Sequence, residues 1–227
     1  MTTATPFVIL FPGRTGSTWL VSCLDSHPRV RAEGERLVGR RRGGQARWIR
    51  RLYRDGTRAG LAAAGFKTKL KDVRDLDAFR TILVDHGARI VVMDRRNVLK
   101  LAVSTINARR LHRVTGRWNR SRSDPVLPAF ELGEDELRGV IAECLARREQ
   151  VHAFASTLPL PALTLHYEDL LAAPEERMAE VLAFLDVPAA PLRSGVAKNT
   201  DDDLGRVILN LEALRTAFAG SPYGEML

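Results

Sequence analysis

The sequence predicts an α/β fold, a central parallel sheet flanked by helices in one domain over 1–227, on three observations. Apolar runs of strand length alternate with longer segments of helical period, a glycine-rich turn follows the first run, and no repeat or low-complexity segment breaks the alternation. At 227 residues such a domain buries roughly 70% of the surface its unfolded chain exposes, so it needs neither a disulfide nor a metal to fold. Cys23 and Cys144 lie far apart in the chain and match no ligand spacing, which argues against both a zinc site and a disulfide framework.

In chain order, residues 7–11 (FVILF) form a first strand buried on both faces, 12–17 a loop, and 18–24 a helix. Residues 65–70 form a second strand. Residues 75–84 are helical and Gly87 stops them. Residues 89–93 form a strong strand, and 98–113 a helix with Leu99, Ala102, Val103 and Ile106 on one face. From 114 to 130 the chain turns polar and proline-punctuated, a loop or lid on the acceptor side that includes Trp118. Glu134–Ser156 returns to helix, 162–167 is a strand, and 174–185 a helix with proline in its first turn. The tail from Gly195 is a loop leading into a helix over 204–218.

Lys and Arg number 35 against 27 Asp and Glu, a net charge of +8. Only five are lysines, so thirty are arginines, a skew that genomic base composition also produces; the planar guanidinium fork nevertheless suits anions, and the balance predicts an anionic ligand. Nine of the arginines fall at Arg36, Arg40, Arg41, Arg42, Arg47, Arg50, Arg51, Arg54 and Arg58, where Asp55 is the sole acid. As a helix this stretch aligns Arg47, Arg50 or Arg51, Arg54 and Arg58. It reads as a solvated face or as a cleft wall attracting an anionic acceptor; nucleic acid is a third partner, but no recognition motif accompanies the basic residues. Residues 1–6 lack the positive start and apolar run of a signal peptide, and no stretch of ~18 apolar residues follows, so no membrane span and a cytoplasmic protein are expected.

The sharpest feature is Gly13-Arg14-Thr15-Gly16-Ser17-Thr18 between strand and helix, where backbone N–H groups at a helix start form an anion cradle. It is not a full Walker A sequence, because Gly16 is followed directly by Ser17 and the cation stands earlier, at Arg14. A second constellation follows the strong strand, where Arg95-Arg96-Asn97 opens a helix carrying Ser104. Two separated anion sites suggest a ligand with two separated phosphates.

Several motifs in order resemble the sulfotransferases that use 3′-phosphoadenosine 5′-phosphosulfate (PAPS), and the resemblance spans nearly the whole chain. The stretch from Phe11 to Leu20 is similar to the family's 5′-phosphosulfate loop in its arginine-bearing form. The eight-residue spacing of Arg96 and Ser104 matches its 3′-phosphate motif. Leu165-His166-Tyr167-Glu168-Asp169-Leu170, with Pro174 and Phe184 to Pro188, resembles its closing strand and helix, and the tail from Lys198 to Tyr223 resembles the end of bacterial nodulation-type members.

The resemblance implies a P-loop NTPase-like sulfotransferase fold with the donor cleft at the carboxyl ends of the strands. It implies sulfuryl transfer from PAPS to a hydroxyl of a carbohydrate or small-molecule acceptor, releasing adenosine 3′,5′-bisphosphate (PAP), with no metal. Gly13, Arg14, Thr15, Gly16, Ser17 and Thr18 would hold the 5′-phosphosulfate, and Arg96, Ser104 and Lys198 in the tail over 195–227 the 3′-phosphate. Cytosolic members carry a His base in a Lys-Thr-His stretch; here Lys67-Thr68-Lys69 has Lys in its place. Other branches use a Glu after the first helix, which maps to Glu35, with Glu33 second. Lys67 is then the second catalytic cation, and Lys69 faces the acceptor. Cys23 and His27 read as structural, and Asp94 as an ion-pair partner of a neighbouring arginine. Two other readings stay open: a P-loop nucleotide or metabolite kinase, with Asp94 on magnesium, and a basic nucleic-acid-binding module.

Overall fold

The computed structural model describes residues 3–119, 126–196 and 203–226. The chain divides into two compact units, the first comprising Met1–Asp94 and Arg148–Gly195, the second Arg95–Arg147 and Val196–Leu227.

The first unit is built on a five-stranded sheet in the order β2-β3-β1-β4-β5, from β1 (Thr5–Leu10), β2 (Val30–Glu33), β3 (Ala63–Thr68), β4 (Arg89–Asp94) and β5 (Ala162–His166). Every pairing is parallel. Parallel strands need crossovers, and the helices that supply them cover both faces, which explains why β1 is a continuous apolar run. Phe7 and Ile9 join Val91, Met93 and Leu165 beneath α1 (Ser17–Asp25), α6 (Tyr167–Ala172) and α7 (Pro174–Phe184). Val8 and Leu10 join Phe66, Ile90 and Val92 beneath α2 (Arg42–Arg58), α3 (Leu76–Asp85) and the last turns of α5 (Glu134–Ser156). The strand order changes direction around β1, since the chain proceeds from β1 to the β2–β3 side and from β4 to the β5 side. Such a reversal opens a crevice at the carboxyl end of the central strand, where ligands of this architecture bind.

In the second unit α4 (Val98–Thr115), the first part of α5 and α8 (Leu211–Phe218) pack around Leu99, Val103, Leu137, Ile141, Leu214 and Phe218. The side chain of Asn97 caps α4 by accepting from the Lys100 N–H at 2.8 Å, and Gly116, at φ +70°, closes it.

The elements read from sequence are present, with four differences. The second strand read from sequence, over 65–70, is shifted two residues back to Ala63–Thr68, with Leu70 opening a 3₁₀ turn, and is the third in the chain, because β2 precedes it. Val30 and Ala32 of β2 turn inward while Arg31 is exposed, too short an alternation to stand out. Tyr167 opens α6 rather than ending β5; Glu168 and Asp169 place acid in that helix's first turn, where the dipole favours it. The helix expected over 204–218 is a 3₁₀ turn at Leu204–Arg206 and then α8. Between them Asn210 exchanges two hydrogen bonds with the Leu132 backbone, at 2.9 and 3.0 Å, and the chain bridges Phe130 through Ile208.

Two glycines test the packing with opposite signs. A Cβ on Gly65 would lie 2.4 Å from the Phe7 ring and carbonyl, so Gly65→Ala is expected to cost about 2–3 kcal/mol in denaturant unfolding. Gly139 sits in mid-helix with open space around it, and Gly139→Ala is expected to stabilise by up to about 1 kcal/mol.

Candidate active site

Beyond β1 the backbone takes positive φ three times in four residues, at Gly13 (+124°), Arg14 (+53°) and Gly16 (+79°). Two are glycines, for which this costs little; Arg14 is not, and holding it there costs about 1–2 kcal/mol. The resulting curl delivers Gly16 as the N-cap of α1 with no side-chain cap, so the first-turn N–H groups of that helix are left to an outside acceptor. Thr15 is fully buried, and its Oγ1 has no hydrogen-bond partner among the described residues. Uncapped N–H groups, the positive end of a helix and an orphaned hydroxyl in one turn fit a bound oxyanion. Gly16 is required for a second reason: a Cβ there would lie 2.9 Å from Cδ2 of Tyr167.

The period of two along β3 sends Lys67 to the face that carries α1. Its ammonium donates to Thr18 Oγ1 at 2.7 Å and Ser17 Oγ at 3.4 Å, and lies 3.4 Å from Glu35 Oε1. Lys69, two residues on, pairs with the other oxygen, Glu35 Oε2. Both ammonium groups stand 5.0 Å from the centre of the Phe11 ring. Residue Lys67 is only 4% exposed, and burial drives its pKa down to about 8; Glu35 pulls the other way, while Lys69 and Arg14 add to the lowering. Burial pushes the Glu35 carboxyl up, but the charges and hydrogen bonds of Lys69 and Lys67 outweigh it and hold the group below the usual carboxylate range. Glu35 is therefore a carboxylate throughout the neutral range.

Glu33 lies elsewhere, held by Arg31 at 2.9 Å and Arg36 at 3.0 Å. Asp94, 1% exposed at the end of β4, presents Oδ2 to Arg148 Nε at 2.8 Å and to His152 Nε2 at 3.0 Å, both from α5. A carboxylate so engaged is poorly placed for magnesium. Cys23 is buried on α1, and burial pushes its thiol up to about 11, which removes it as a nucleophile. His27 is buried with both ring nitrogens engaged: Nδ1 accepts from the Arg29 N–H and Nε2 meets the Pro188 carbonyl, each at 3.0 Å.

Arg96 stands just before the N-cap of α4, and Ser104 is buried on that helix, both in the second unit. Lys198 lies outside the described residues. The arginines at positions 47, 50, 51, 54 and 58 form the exposed face of α2, opposite a buried face of Gln45, Ile49, Leu52, Tyr53 and Gly56. A Cβ on Gly56 would meet Ala64 and Ala4, at the amino ends of β3 and β1, so the basic face runs about 16 Å along the flank toward the end of the sheet opposite the loop. Trp118 packs on His112, ring centres 4.3 Å apart. Among the described residues no group of three or more His, Cys, Asp or Glu is placed to hold a metal ion, and no helix is long and apolar enough to cross a membrane.

The fold is that of a sulfotransferase domain. The chain matches the sulfotransferase domain from the curacin biosynthetic pathway with a TM-score of 0.52, over 100% of this chain and 84% of that one, at 14% identity. In sequence it is 28% identical over 236 residues to Nodulation protein H of Rhizobium tropici, covering 97% of this chain and 92% of that protein. It is 28% identical over 243 residues to Nodulation protein H of Rhizobium meliloti (strain 1021), covering 97% and 94%. No family model matches. The P-loop-like architecture expected from sequence is thus the one observed.

Gly16→Ala combines a Cβ at positive φ with a 2.9 Å approach to Tyr167. It is expected to lower stability by about 1–3 kcal/mol in denaturant unfolding and to abolish oxyanion binding at the loop in calorimetric titration.

Proposed function

We propose that this enzyme transfers the sulfuryl group of PAPS to a hydroxyl of a carbohydrate or other small-molecule acceptor and releases PAP. The observation that carries this reading is the uncapped start of α1, joined through Lys67 to Glu35. PAPS supplies an activated sulfuryl group with a good leaving group already attached, so the chain's task is positioning, charge stabilisation and proton removal. The N–H groups of Gly16, Ser17 and Thr18, with Gly13 and Thr15 shaping the turn, hold the 5′-phosphosulfate. Arg14 and Lys67 stabilise charge developing on the bridging oxygen. Glu35 takes the proton from the acceptor hydroxyl as that oxygen bonds to sulfur and the bond from sulfur to the bridging oxygen breaks. On the sequence motif, Arg96 and Ser104 take the 3′-phosphate, with Lys198 as a third group. The two cations fill the role a metal has in phosphoryl transfer, and the reaction is metal-independent. The ion-paired state of Asp94 counts against the kinase reading.

Calorimetric titration with PAP and, in parallel, with ATP and magnesium tests the reading. Tight PAP binding with weak ATP binding is expected, and the reverse would overturn it. Arg14→Ala is expected to weaken PAP binding about ten- to a hundredfold. Glu35→Gln should leave PAP binding intact and lower kcat about a hundredfold or more; full activity in that variant would move the base first to Glu33. Turnover is expected to persist in excess chelator.

Protonation gives a further check. Lys67 is largely neutral above pH 8 in the free protein, and a bound anion favours its ammonium form, so PAP binding should draw in a proton above that pH and cease to do so well below it. Titrations at pH 9 in buffers of different ionisation enthalpy should read an uptake approaching one proton, absent in Lys67→Met.

A further inference from the structure

Lys69 is half-buried and its ammonium is committed to Glu35, whereas the sequence places it toward the acceptor. Its surroundings fix it there. Its Cε lies 3.9 Å from the position a Cβ on Gly13 would take, an ordinary van der Waals distance, and Phe11 supplies a ring face 5.0 Å from its charge. The two oxygens of Glu35 are divided, one to each lysine: Lys69 holds Oε2, and Lys67 stands 3.4 Å from Oε1 while its shorter bond is to Thr18. The looser of the two contacts is thus the one on the lysine that faces the anion cradle.

We propose that Lys69 is the positioning residue of the base: it pins Oε2 of Glu35 so that Oε1 is presented to the acceptor hydroxyl once an anion in the cradle engages Lys67. This inference rests on the sulfotransferase reading. The acceptor proton passes to Oε1, the acceptor oxygen bonds to sulfur, and PAP departs with the electrons of the bond that breaks. Lys69 exchanges no proton in the step; it keeps the carboxylate ionised and in one orientation.

The test replaces Lys69 by Met and by Arg, and reads Glu35 in two ways. Carbon-13 NMR of labelled glutamate carboxyls, with Glu35 assigned by its loss in Glu35→Gln, follows the carboxyl through a pH titration without any turnover. In Lys69→Met the midpoint is expected to rise, since burial then acts with one fewer opposing charge, and Lys69→Arg should bring it back. In the rate assay the acid limb of kcat should rise in parallel and kcat should fall about tenfold or more in Lys69→Met, with PAP affinity unchanged. An unmoved midpoint would overturn the proposal, as would a loss of PAP affinity matching the loss of kcat, which would make Lys69 a donor ligand. Should Lys69→Met fail to fold, Lys69→Gln carries the same measurements. A wild-type chain without PAPS-dependent turnover would sink the sulfotransferase reading, and the carboxyl titration would still judge the pairing by itself.

Discussion

A buried ammonium group organises the site. Lys67 projects from the end of β3 into a place almost closed to water, where an unpaired charge would be costly, and the compensating contacts come from three separate parts of the chain. Thr18 and Ser17 belong to the start of α1, Glu35 follows β2, and Phe11 follows β1. The compensation is incomplete, as the lowered pKa records, so a bound oxyanion adds what the protein's own groups lack. The same cation that is costly to bury makes the site attractive to an anionic donor.

That arrangement depends on the strand order. Because β1 lies between β3 and β4, the loop that follows it opens at the point where connections diverge, and β3 lies alongside with Ile9 in register with Lys67. Alternation along β3 then selects which face Lys67 serves. The loop stores strain at Arg14 and admits no side chain at Gly16, where Tyr167 closes over it. The arginine-rich face of α2 follows a different logic: it is the solvated side of a helix whose other side is locked by Ile49, Leu52 and Tyr53, and its length runs along the flank of the sheet.

The architecture was legible because β1 and β4 are continuous apolar runs and the long helices are periodic, and because a strand, a glycine turn and a helix in succession mean the same thing locally as they do in the fold. The four-residue β2 and the six-residue α6 were not, since the first has too short an alternation and the second, a turn and a half of helix, too few residues to show a period. Among site residues, Gly13 to Thr18 could be placed from sequence by backbone chemistry alone. Glu35 and Lys67 came from the family resemblance, and their proximity is a property of β2 and β3 pairing side by side, which no local signal encodes. Two partners of Asp94, Arg148 and His152, lie more than fifty residues on, in α5, a distance no local pattern spans. The hold of Lys69 on Glu35 was equally out of reach, because it joins residues thirty-four apart in the chain.

The central claim is that the turn after β1 and Lys67 together receive the 5′ end of the donor. A crystal structure of the chain with PAP tests it most directly. The account predicts the 5′-phosphate on the N–H groups of Gly16, Ser17 and Thr18, with the Lys67 ammonium turned to it and Glu35 still held by Lys69. A 5′-phosphate bound elsewhere, with Lys67 unmoved between Thr18 and Glu35, would contradict it.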